Sequence, residues 1–246
     1  MTQHDFDIAN AGGGAVRTDI NNALGALVSL SSGATAPTTT FPHMFWADST
    51  NALLKQRNAA DTAWVTLANL GVTYSQPGAQ TIWVPAAAMI SRSTSGAATG
   101  STELATNKVM LATRDFDAAA AEYTQFSVGM PKGWNEGTIT AEFIWTAASG
   151  TGTVRWAIQG IALSNDDIID ATWGTAATVD DALIAVNDLH VSAASSAVTI
   201  GGTPAEGDLV VFQFYRDAAD AADTFDQDAL LIGVRIKYTT NAGNDD

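Results

Sequence analysis

Five aspartates, Asp217, Asp220, Asp223, Asp226 and Asp228, crowd the stretch YRDAADAADTFDQDALL. Carboxylate oxygens at this density suit a hard divalent cation such as calcium, with Asp217, Asp220 and Asp223 as the candidate ligands. The spacing departs from the D-x-[DN]-x-[DN]-G loop closed by a Glu at position twelve, and the alternative is a solvated acidic loop partly balanced by Arg216 and Arg235. Other chemistry has thinner support. Glycoside hydrolysis needs two carboxylates about 5 to 9.5 Å apart, whereas Glu122, Glu136, Glu142 and Glu206 stand singly among strands and turns and are expected at the surface. His4, His43 and His190 show no metal-ligand spacing, and His190 reads as an ordinary strand residue. There is no GxSxG elbow, and the glycines around Ser101 lack a Walker lysine. These absences predict a protein that is not an enzyme and takes no cofactor. Two tryptophans carry a different chemistry. Trp134, in the loop MPKGWNEG, and Trp173 could each stack on a sugar ring or anchor a partner, and Trp134 could equally cap the end of a sandwich.

The elements that must position these residues read as mostly β. Thr, Ser, Ala and Gly abound while Lys and Glu are scarce, which suits strands joined by small-residue turns. Residues 16–30 are the exception: Val16, Ile20, Ala23, Leu27 and Leu30 lie along one seam of a helix. Two heptads are marginal alone in water, so this helix either packs on its own domain or joins a short dimeric or trimeric bundle. Residues 31–43, SSGATAPTTTFPH, form a linker, because Pro37 and Pro42 hold the residues before them extended. Residues 44–68 alternate three short apolar runs with turn clusters, which predicts a β-meander holding Trp46 and Trp64 on nearby strands. A second linker is expected over 71–80. From 81 to 240, runs such as TITAEFIWT, TVRWAIQGIAL, LVVFQFYR and LLIGVRIKY alternate with period two, predicting an antiparallel jelly-roll β-sandwich. In the last run the alternation places Leu230, Ile232, Val234, Ile236 and Tyr238 on one face. Helices are expected at 164–172 and 178–186, where acidic residues stand at plausible helix starts, and a polar tail at 241–246.

The segments VRTDINNALGAL (16–27), SSGATAPTTTFPHMFWADSTNALLKQRNA (31–59) and DTAWVTLANL (61–70) resemble the N-terminal attachment region of fibre-type proteins of tailed bacteriophages. FDAAAAEYTQFSVGMPKGWNEGTITAEFIWT and VRWAIQGIALSNDDIID resemble phage-encoded jelly-roll domains of virion surface proteins. Together they span most of the chain. The resemblance implies a structural protein of the virion surface, anchored by residues 1–70, displaying its sandwich as a homotrimer and contacting other capsid or tail proteins. The brevity of the segment between anchor and sandwich favours a short head fibre, spike or capsid decoration over a long tail fibre. The expected docking residues are Ile20, Leu24, Leu27, Trp46, Lys55, Arg57 and Trp64. The alternative is a host-attachment carbohydrate-binding module, with Trp134 and Trp173 in an exposed groove.

The totals limit the partners. Twenty-six acidic against 11 basic residues give a net charge of -15, which argues against nucleic acid and anionic membrane, since both are bound by clustered Lys and Arg. With no cysteine, any stability outside a cell comes from packing or assembly. The N-terminal MTQHDFDIANAGGG has neither the basic nor the apolar region of a signal peptide, so synthesis in the host cytoplasm is expected before the protein reaches the virion surface.

Overall fold

The computed structural model describes residues 3–70 and 78–241. Two compact units result, one within Met1–Pro77 and one over Gly78–Thr240. Most of the 71–80 linker and of the polar tail lies outside the described residues, and residues 78–80 already belong to a strand.

In the first unit, helix α1 runs over Gly13–Val28. It starts earlier than the apolar seam, since Gly12 leads into it without any side-chain cap. Leu30 and Ser31, both at positive φ, turn the chain away at its end. The face that packs is the small one: Ala26 is fully buried, whereas Ile20, Leu24, Leu27 and Val28 are 43, 54, 59 and 88% exposed. The expected seam therefore packs only in part: Val16 and Ala23 are half-buried, while Ile20, Leu27 and Leu30 stay exposed. Strands β1 (Phe45–Asp48), β2 (Leu53–Arg57) and β3 (Trp64–Asn69) form the meander in that order. Trp46 is buried, and its ring meets Trp64 edge-on at 5.4 Å between centroids.

The second unit builds two sheets. β7 (Met110–Phe116), β14 (Ala229–Thr240), β9 (Thr140–Thr146) and β12 (His190–Val191) lie side by side in one, extended by β6 (Ala98–Glu103) beside β7 and by β4 (Gly78–Pro85) along the far part of β14. The other holds β11 (Ala177–Ala182), β10 (Thr153–Leu163), β13 (Leu209–Arg216), β8 (Glu122–Gly129) and the two-residue β5 (Ile90–Ser91), in that spatial order. From β7 to β10 each successive strand crosses to the opposite sheet, β11 follows β10 as a hairpin partner, and β12, β13 and β14 cross again. Two four-stranded ladders wound about each other in this order make a jelly roll.

Its core is aromatic: Phe143 stacks on Trp156 at 5.3 Å, and Trp145, Phe116, Phe214 and Phe225 close around the pair. One alternation departs from expectation. A bulge between Leu231 and Gly233 shifts the register of β14 against β9, so Leu231 is fully buried while Leu230 and Ile232 stand half-buried on the other face. A single extra residue inverts the facing of everything before it.

The two expected helices in this unit are absent. Residues 178–182 belong to β11, because Ala177 and Val179 pack inward while Asp180 pairs across strands with Arg155. Residues 164–176 form a loop, in which Ser164 N–H donates to the Asp167 carboxylate and Asp167 N–H to the Ser164 carbonyl. The acidic side chains thus close a local turn instead of starting a helix.

Candidate functional site

The outer face of the five-stranded sheet is built from strand positions that point away from the core. Antiparallel register sets Tyr123 of β8 against Tyr215 of β13, and Gln125 against Gln213, with Gln159 of β10 next in the same row. The tyrosine rings lie 5.0 Å apart. Burial, followed by the nearby Asp217 carboxylate, pushes the Tyr215 phenol above its ordinary value, so it keeps its proton and remains a hydrogen-bond donor at neutral pH. Gln125 Nε2 donates to Gln213 Oε1 at 3.0 Å. Gln213 is only 3% exposed overall, but its amide N–H groups, which have no protein partner among the described residues, open onto the cavity beneath the 164–176 loop.

The 164–176 loop folds over this face and makes a cavity of about 540 Å³, lined by Arg92, Gln125, Gln213, Ile161, Val211 and Trp173 among others. Trp173 is held by its neighbour. Gly174 N–H and Gly201 N–H both donate to the Gly160 carbonyl, at 3.0 and 2.9 Å. A Cβ on Gly174 would sit 2.1 Å from the Thr199 carbonyl oxygen, so only glycine lets the loop approach β10 this closely. At the opposite edge, the Arg92 guanidinium lies 4.3 Å from the Tyr123 ring centroid. Asp170 is the one carboxylate among the lining residues, and no histidine joins it.

This arrangement offers a half-buried indole as an apolar platform, a row of amides that can both donate and accept, and a phenol alongside. A flat ring with an apolar face and a hydroxyl rim fits such a surface: the face removes area from water on Trp173 and the hydroxyls pair with Gln125 and Gln213. From Val211 to Tyr215 the face runs about 13 Å along the strand, room for more than one such ring.

The other expected site residues fare differently. Trp134 is 2% exposed and caps the end of the sandwich; its backbone N–H donates to the Pro131 carbonyl, while its buried indole N–H has no partner among the described residues. It is not a ligand contact, because burial removes its ring from any groove. The aspartate-rich loop is a structural clamp. Arg216, fully buried, donates Nε and Nη2 to the two oxygens of Asp223 at 2.9 and 2.8 Å, and Arg155 N–H adds a third bond to the same carboxylate. Asp220 instead faces Arg155, at 3.7 Å. Asp217, Asp220 and Asp223 therefore do not converge, and no group of three or more acidic or histidine side chains among the described residues is arranged to hold a metal.

In the first unit Lys55 and Arg57 are already engaged. Lys55 lies over the Trp46 ring and pairs with buried Asp48 at 2.8 Å, while Arg57 lies over Trp64 and pairs with Asp61 at 2.6 Å. Donation from Asn51, followed by Lys55, holds the Asp48 carboxyl down at about 2. Lys55, Arg57, Trp46 and Trp64 thus knit the meander together. The expected docking residues left open are Ile20, Leu24 and Leu27 on α1. Beside Leu27 and Leu30, a cleft of about 300 Å³ is lined by Phe6, Phe41, Met44 and Phe45.

No protein-family model matches the sequence, and no curated protein matches it. Among solved structures, the chain is similar to the family 11 carbohydrate-binding module of Clostridium thermocellum in complex with a β-1,3-1,4-mixed-linked tetrasaccharide, at 10% identity and a TM-score of 0.37, covering 67% of this chain and 97% of that one. It is similar to a family 28 module specific for non-crystalline cellulose, at 13% identity and a TM-score of 0.35, over 63% of this chain and 88% of that one. It is also similar to a chain of infectious bursal disease virus, Gx strain, at 13% identity and a TM-score of 0.36, over 78% of this chain and 42% of that one. Resemblances this distant assign no ligand or partner to the present chain.

Proposed function

We propose that this protein is a non-enzymatic attachment protein of a phage virion surface, whose jelly roll binds carbohydrate in the groove under Trp173 and whose first unit docks it on the particle. The observation that carries the carbohydrate reading is the Gln125–Gln213 amide pair on the wall of the cavity that Trp173 lines. The Gln213 N–H groups have no protein partner among the described residues and open onto that cavity beside the half-buried Trp173 indole. Amides presented in this way exchange water for ligand hydroxyls and fix the orientation of a ring on the apolar platform.

The docking part rests on α1, which leaves Leu24, Leu27 and Val28 in water. An apolar helix face without a partner in its own unit gains roughly 25 cal/mol for each Å² that a partner covers. Assembly as a homotrimer, as a short head fibre, spike or decoration protein, belongs to the same reading.

The test of the carbohydrate part is a glycan array probed with the full chain and with Trp173→Ala. Binding by the first and its loss in the second support the groove; an array blank for the wild type refutes it. For docking, particles assembled with Leu24→Glu/Leu27→Glu are expected to lack the protein. Normal incorporation of that variant would overturn the assignment of the anchor.

A further inference from the structure

We propose that the glycan taken by this groove is acidic, and that its carboxylate is received by Arg92. This rests on the carbohydrate reading of the site and adds the charge class of the ligand. The chain has 11 cationic side chains against 26 acidic ones, and most of the cations are paired with the protein's own carboxylates; among the described residues Arg17, Arg92, Arg114 and Lys132 are not, and of these four Arg92 alone lines the cavity. Lys55, Arg57, Lys108, Arg155, Arg216, Arg235 and Lys237 are all ion-paired. Arg114, mostly buried, donates to the Met89 carbonyl and to Thr99. Arg92 has neither a carboxylate nor a side-chain hydrogen-bond partner among the described residues, yet it lines the same cavity as Gln213 and Trp173.

Its position is also fixed. Arg92 N–H donates to the Tyr123 carbonyl, Tyr123 N–H to the Ser95 carbonyl, and the turn between closes at Gly96, where a Cβ would lie 2.0 Å from the Arg92 carbonyl oxygen. The guanidinium carbon lies 4.3 Å from the centroid of the Tyr123 ring. A cation–π contact leaves the N–H groups without an acceptor, so the fork remains free to grip a carboxylate with two parallel bonds. A neutral glycan would leave that fork to water.

Asp170 lines the same cavity and Asp167 stands in the same loop. Neither forms an ion pair with Arg92, and their charge opposes an anion. The acidic ligand therefore orients with its carboxylate toward Arg92 and its apolar ring face on Trp173.

The experiment titrates the full chain with oligogalacturonate, oligomannuronate and oligoglucuronate and with the methyl ester of each, which keeps the ring and removes the charge. At least one acid is expected to bind about tenfold to a hundredfold tighter than its ester, the worth of a charge-assisted bond. Arg92→Gln is expected to bring acid and ester to equal affinity, with Arg92→Lys restoring part of the difference and Trp173→Ala weakening both. If every acid binds no better than its ester, or if Arg92→Gln leaves the preference intact, the inference is wrong while the carbohydrate reading stands. Loss of binding to neutral and acidic glycans alike in the wild type would overturn both. An Arg92→Gln effect on melting temperature with no effect on discrimination would make Arg92 a cap on Tyr123 and overturn the inference.

Discussion

Replacing Arg216 by Met removes the centre of the aspartate-rich loop while keeping most of its volume. The guanidinium donates to both oxygens of Asp223 and to the carbonyls of Gln227, Phe225 and Phe116, all at a side chain with no solvent exposure. The variant leaves the Asp223 side chain, 2% exposed, with the Arg155 N–H as its remaining donor. An orphaned buried charge costs about 3–5 kcal/mol, and carbonyls stripped of donors push toward the upper end at roughly 1 kcal/mol or more apiece. For a unit of this size each kcal/mol moves the melting temperature by about 2–4 °C, so a fall of roughly 6–20 °C is expected. The assay is urea unfolding followed by tryptophan fluorescence, alongside calorimetry. Arg216→Met/Asp223→Leu is expected to recover part of the loss, because it removes the charge together with its partner. A loss below about 1 kcal/mol in the single variant would refute the clamp. So would a wild-type melting temperature that rises by several degrees with calcium and falls with chelator, since the aspartates would then be serving a metal.

Trp134→Ala is expected to cost about 3–5 kcal/mol in the same unfolding assay without changing glycan affinity, which separates it from Trp173. Gly174→Ala puts a Cβ against the Thr199 carbonyl and should displace Trp173, weakening glycan binding at least tenfold, as titration calorimetry would measure, with circular dichroism unchanged in the far ultraviolet. Asp48 is depressed from 3.8 to about 2, so the stability it gives the first unit is fully present above about pH 4 and is lost as pH falls toward 2. Near-ultraviolet circular dichroism of the Trp46–Trp64 pair should report that acid transition in the wild type, and Asp48→Asn should flatten it. Deleting residues 1–70 is expected to leave a folded sandwich, by circular dichroism, that no longer joins particles.

The β-meander and the jelly roll were legible because their cores are written with period two: Ile139, Ala141, Phe143 and Trp145 all turn inward as their spacing predicts. The bulge in β14 was not legible, since nothing in LLIGVRIKY marks one extra residue until Gly233 is seen under the ring of Trp83. Helix α1 was legible as an element but not in its facing, because which side packs depends on what lies beneath it, and the small Ala26 face won. The acidic runs around 164 and 178 suggested helix starts, yet strand pairing with β10 and local turn bonds took those residues instead. The groove was half visible. Trp173 was singled out, while the amide and tyrosine rows were missed although their signal was present: Tyr123-Thr124-Gln125 and Gln213-Phe214-Tyr215 are mirror images, and antiparallel pairing of mirror images brings like against like. Arg92 carried no sequence signal, because its place in the cavity beside Tyr123 appears only once β5 has paired with β8.

The most direct test of the groove is a ¹⁵N correlation spectrum of the full chain, recorded as a glycan found on the array is added. The indole N–H of Trp173 and the side-chain amide N–H groups of Gln125 and Gln213 are expected to shift together and saturate with one affinity, while the buried indoles of Trp134 and Trp145 stay in place. Saturating shifts confined to the first unit, or to the cavity around Thr102 and Asn187, with Trp173 unmoved, would contradict the account.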